Sequence, residues 1–163
     1  MKSDHHRLTP GLISALSKLI LAIHHYGRNS VHIHDEMKAA KGAPFQLTDF
    51  EWNNFTKLRF HGLAFKVDGR PGYWGITRRG GQFLKGQISV PMKVKTFRNR
   101  VLEGEVGHSK QLVHINEFRR QIPWFETLPD FEVEKPEALA NALVAQGQLN
   151  FRGEGCGVSS GGV

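Results

Sequence analysis

Residues 47–77, LTDFEWNNFTKLRFHGLAFKVDGRPGYWGIT, decide how this chain folds. Thr48 and Glu51 stand at capping-box spacing, in which each side chain accepts from the other residue's backbone N–H. Leu47 before the cap and Trp52 after it suit a hydrophobic staple. At ~100° per residue, Trp52, Phe55 and Leu58 share one face, the face that enters a core. Asp49, Asn53, Lys57 and Phe60 lie opposite, flanked by Asn54 and His61, and Gly62 ends the helix. The spacing therefore predicts one helix over residues 48–61. Phe65 and Val67 then alternate with Lys66, DGRPG at 68–72 is a turn, and residues 73–76 return as a second strand. Thr77 can cap a short helix through RRGGQFLKG, which Gly80 and Gly81 weaken.

Upstream, LTPGLISALSKLILAIHHYG carries the strongest helix signals in the chain. Thr9 is a cap and Pro10 occupies the first helical position, where its missing N–H costs nothing. Leu12, Leu16, Leu19 and Ile23 recur at helical spacing, with Ile13 and Ile20 widening the stripe. His24 and His25 fall in the last turn, and Gly27 suits a left-handed C-terminal cap. A short strand at residues 31–33 and a short helix over about 34–40 come next, the latter ended by Gly42 and Pro44. The opening MKSDHHRLTP reads as a polar tail without the apolar core of a signal peptide. No apolar run approaches the ~18 residues of a membrane span, so a cytoplasmic protein is expected.

This order of helix, strand, helix, helix and glycine-tipped hairpin resembles a winged helix-turn-helix domain over residues 8–86. The resemblance rests on the capped helix, HGLAFKV running straight into a strand, DGRPG, YWGIT and TRRGGQFLKG. The adjoining ISVPMKVKTFRNRVLEGE also resembles the segment C-terminal to such domains in bacterial and phage proteins. The resemblance implies an α+β fold: a winged helix-turn-helix domain at 8–86 and a β-rich, partly irregular C-terminal extension at 87–150. A glycine-rich tail at 151–163 is expected to be disordered. The resemblance makes residues 48–61 the recognition helix. Asn53 and Asn54 would read base edges, because an asparagine amide both donates to and accepts from adenine. Lys57 and His61 would join them, and Arg70 in the wing would reach the minor groove or backbone. Arg78 and Arg79 would hold phosphates, which position the domain without reading sequence.

The chain has 163 residues, 39% hydrophobic and 23% charged, with a net charge of +7. The charge is concentrated: residues 54–102 hold 11 Lys/Arg and a single acid, Asp68, whereas residues 103–163 hold 5 Lys/Arg and 9 Asp/Glu. A block this basic, interleaved with aromatics, suits a polyanion. KVKTFRNR places Lys93, Lys95 and Phe97 on one strand face and adds Arg98 and Arg100 as phosphate contacts. The plainer reading is an amphipathic edge strand kept soluble by its lysines. Duplex DNA is thus the expected partner. A protein-assembly role, signalled by Phe50 and Phe60 near the reading face, and RNA binding through Phe97 are the alternatives. The acidic second half suits docking on the basic middle, a homodimer contact or a protein partner.

Other classes find little support. The one cysteine, Cys156, excludes an internal disulfide. Nine histidines, with His32 and His34 alternating, lack a partner at zinc-ligand spacing, so no metal or other cofactor is expected. The phosphate-binding, zinc-protease and serine-hydrolase motifs are missing, so the chain is not expected to be an enzyme. LVHINEFRR reads as a strand leading into a short helix, and PEALANALVAQGQ as a further helix.

Overall fold

The computed structural model describes residues 4–102 and 107–122. Helix α1 spans Pro10–Tyr26 and ends as its sequence signals require. The Thr9 hydroxyl accepts from the Leu12 N–H at 3.3 Å, and Gly27, at φ 66°, donates to the carbonyls of Ile23 and His24. Leu12, Ile13, Leu16, Leu19 and Ile20 are buried. Strand β2, Val31–His32, is followed by a single π turn at His34–Lys38 where a short helix was expected. The wide turn brings Met37 into the core.

Strands β3, Ala64–Lys66, and β4, Tyr73–Ile76, form the expected hairpin, with Ala64 opposite Ile76. Strand β2 pairs with the other edge of β4, placing Val31 opposite Trp74, so the sheet order is β2–β4–β3. Between β2 and this hairpin, the helix expected over 48–61 divides into α2, Asp49–Asn54, and α3, Lys57–Phe60. The capping box at Thr48 and Glu51 is present. Through the joint, Phe55, Leu58 and Arg59 donate to the carbonyls three residues earlier. Each such step turns the chain about 120° rather than about 100°, so the face drawn on a uniform helix is not kept beyond Asn54. Phe55 and Leu58 still reach the core, but Phe60 and His61, expected outside, are buried.

The N-terminus completes that burial. Residues Asp4–Arg7, expected to be a polar tail, form strand β1 antiparallel to β6, Lys93–Phe97. His6 Nε2 lies 2.9 Å from Thr96 Oγ1, and the His6 ring packs on Phe60 at 4.8 Å between centroids. Strand β6 turns through Arg98 and Asn99, at φ 52° and 64°, into β7, Arg100–Val101. Two central residues at positive φ match the type I′ turn, whose twist suits a tight hairpin. The second sheet therefore has the order β1–β6–β7.

Helix α4, Arg78–Leu84, starts at Thr77, whose hydroxyl accepts from the Gly80 N–H at 2.9 Å. Gly80 has a purpose in α4: a Cβ there would collide with the Leu63 carbonyl oxygen, so only glycine allows this approach to the backbone just before β3. Strand β5, Val90–Pro91, pairs with β8, Leu112–Val113, and two 3₁₀ turns lie beyond it at Ile115–Glu117 and Arg119–Gln121. Val90, Val113, Ile115, Phe118 and Ile122 share one core with α1. The expected helix in 136–148, most of the acidic aromatic segment 122–136 and the glycine-rich tail lie outside the described residues. Among the described residues, no helix is long and apolar enough to cross a membrane.

A buried polar joint fixes α1 against α2. Lys18 Nζ donates to Glu51 Oε1 at 2.6 Å and to the Gln46 carbonyl at 2.8 Å. Ser14 Oγ donates to Glu51 Oε2 at 2.5 Å, and the Thr48 N–H donates to Oε1 at 2.8 Å. Burial raises the Glu51 pKa, but the bonds from Lys18, Ser14 and Thr48 outweigh it and leave the carboxyl below its usual range. One carboxylate thus caps α2 and locks it to α1.

Candidate nucleic-acid interface

Capping and core packing together set which side chains α2 presents. With Trp52 and Phe55 turned inward, Asn53 is exposed and Asn54 is half-buried. Asn54 donates from Nδ2 to its own helix, at the Phe50 carbonyl 2.8 Å away, whereas Asn53 is exposed. Asp49 is exposed one turn earlier and pairs with Lys38 at 3.0 Å. Phe50, beside them, is 52% exposed and lies over the backbone of Gly11.

On α3, Lys57 is half-buried and Arg59 exposed. The Arg59 guanidinium lies 5.5 Å from the Phe60 ring centroid. Arg59 was not among the residues expected to contact DNA. The basic block that contains it was visible, but its outward direction depends on the turn at Phe55 and Thr56.

His61 is a correction. It is 4% exposed, and among the described residues its Nε2 has no hydrogen-bond partner. Burial foremost, together with the nearby His6, Arg79 and His108, pushes its pKa down to about 4. It is a neutral core histidine that cannot reach a base edge.

The hairpin tip at residues 68–72 is held by its own backbone. The Val67 N–H donates to the Tyr73 carbonyl at 2.9 Å, and the Tyr73 N–H to the Arg70 carbonyl at 3.1 Å. Gly69 and Gly72 take φ 75° and 83°, which side chains resist. Arg70 is exposed, its guanidinium 3.9 Å from the Tyr73 ring centroid, a stacking that pre-orders the charge. Lys66, also exposed, lies on β3 beside it.

Arg78 is half-buried at the start of α4, and Arg79 is exposed, with its aliphatic stem beside Gly62 and partial desolvation lowering its pKa. Arg98 and Arg100 are exposed at the β6–β7 turn, with Arg98 over Phe97 at 5.2 Å. The structure thus brings Asn53, Lys57 and Arg59 together on α2–α3, and Arg70 onto the adjoining hairpin. Arg98 and Arg100 belong to the other sheet. Among the described residues, no three His, Cys, Asp or Glu side chains gather to hold a metal ion. No protein-family model, curated protein or solved structure matches the chain.

Proposed function

We propose that this protein binds duplex DNA as a winged helix-turn-helix regulator or accessory factor, with α2–α3 in the major groove and residues 68–72 as the wing. The observation that carries this reading is the sheet order β2–β4–β3, with α2–α3 running through Gly62 directly into a hairpin that ends in Arg70. This arrangement sets a short helical unit beside a basic hairpin tip. Asn53 supplies base reading through its paired donor and acceptor, worth about 1–3 kcal/mol of discrimination at one position. Lys57, Arg59, Lys66 and Arg70 supply phosphate contacts, which give affinity without sequence preference.

Selection of bound duplexes from a randomised pool, with the parent and with Asn53→Ala, tests the reading. A site in which one base position loses its preference in the variant supports it. An unchanged preference removes Asn53 from base reading. A second use is favoured by one observation: Phe50, half exposed on the same surface, gives α2 an apolar contact for a protein partner. That assembly reading requires duplex binding to be weak and nonspecific.

A further inference from the structure

The β1–β6–β7 sheet has two unlike faces. Val94 and Thr96 point into the core, at 2% and 0% exposure. The opposite face is basic across several strands. The β1–β6 register sets His5 across from Lys95 and Arg7 across from Lys93. On the other side of β6, Val94 bridges His108, the Ser109 N–H donates to the Lys93 carbonyl and the Leu102 N–H to the Lys95 carbonyl, each at 3.0 Å. The Lys93 N–H donates to Ser109 Oγ at 3.1 Å, holding that flank in place. One row further on, Phe97 stands across from Arg100.

These rows border an open groove of about 210 Å³, lined by His5, Lys93, Lys95 and the 107–110 segment, and among the described residues its lining holds no acid. Its volume falls below the roughly 300–1,000 Å³ of pockets that enclose small molecules, so it suits part of a larger ligand. Gly107 keeps the flank flat, since a Cβ there would collide with the Leu102 carbonyl.

Two facts speak against a merely solubilising role for these lysines. Strand β6 is central, with β1 on one side and β7 on the other, so its lysines do not guard a sheet edge. Like charges directly opposite one another also destabilise a sheet. Arg7 against Lys93 is such a pair, and a polyanion on this face would offset its cost. Lys93 and Lys95, two residues apart on one strand face, are about 7 Å apart, comparable to the spacing of consecutive phosphates along a strand. Phe97 at the end of the row is half-buried, with the Arg98 guanidinium 5.2 Å from its ring centroid, and its remaining ring surface suits stacking on an unpaired base.

We propose that the outer face of β1–β6–β7 is a binding site for a single nucleic-acid strand, with His5, Arg7, Lys93 and Lys95 on its phosphates and Phe97 under a base. The site is separate from α2–α3 and the wing and does not depend on duplex binding there.

Charge reversal tests it sharply. In Lys93→Glu/Lys95→Glu, the like-charge row of Lys93 with Arg7 becomes an opposite-charge row, so the melting temperature should hold or rise. Affinity for a fluorescent oligothymidylate should fall at least about tenfold, because strand binding depends on these phosphate contacts. Phe97→Ala should weaken the same oligonucleotide by at least about fivefold through lost stacking. Duplex affinity in both variants should follow Lys57 and Arg70 instead, so failure of either site is seen separately. Unchanged oligothymidylate affinity in the charge-reversal variant would overturn the proposal. So would a lowered melting temperature with unchanged affinity, which marks the chain's own carboxylates as the occupants of this face.

Discussion

His61 shows how a single side chain changes role between helical wheel and folded chain. On a uniform helix it flanks Asn53 and Lys57; in the fold it sits beneath β1 with a pKa near 4. The depressed pKa has a definite sign. The unfolded chain takes up a proton near the ordinary histidine value of about 6.5, whereas folded His61 resists protonation until about 4. Stability is therefore full above the unfolded pKa and falls as pH drops from about 6.5 towards 4. Glu51 adds to this at lower pH, because its depressed folded pKa means that its contribution is lost as pH falls below the usual carboxylate range. Denaturant midpoints measured from pH 7.5 to 4 should decline for the parent and decline much less between 6.5 and 4.5 for His61→Leu. Equal slopes in the two proteins would show that His61 is accessible and titrates normally.

At the scale of elements, the joint between α1 and α2 depends on one ion pair. Lys18 and Glu51 retain 11% and 5% of their side-chain exposure. Removing one partner of such a pair leaves a buried charge and costs about 3–5 kcal/mol. Lys18→Met should therefore destabilise the protein by about 3 kcal/mol in urea unfolding, and Lys18→Met/Glu51→Leu by less than the two single changes together. An additive double variant would deny the coupling. Both ends of α1, the start of α2 and the β3–β4 hairpin were legible because their signals are local: a threonine cap with a closing glycine, a capping box, DGRPG. Glu51 was legible only as half of that box, since its partner Lys18 lies 33 residues away. The split of the helix at Phe55 was not legible, because it arises from the tertiary demand to bury Leu58 and Phe60 against different neighbours. Strand β1 was hidden for the same reason. DHHR has no apolar alternation, and its ladder partner is some 90 residues distant.

For the whole molecule, the concentration of charge in residues 54–102 was plain in the sequence, but its division between two surfaces was not. Lys57, Arg59, Lys66 and Arg70 lie on α2–α3 and its hairpin, while Lys93, Lys95 and Arg100 lie on the β1–β6–β7 sheet. His6 of β1 packs on the Phe60 ring at the end of α3, while Asn53 is exposed on α2. The central claim is that α2–α3 and the hairpin hold duplex phosphates. Its most direct test is the affinity for a mixed-sequence duplex, measured by fluorescence anisotropy from 50 to 300 mM salt, for the parent and for Lys57→Ala/Arg70→Ala. Each phosphate contact adds ~0.9 to the slope of log affinity against log salt. The parent should bind with a slope of several charges, and the double variant should bind more weakly with a slope reduced by about 2. A parent that fails to bind duplex at 50 mM salt, or a variant with the parent's slope, would contradict the account.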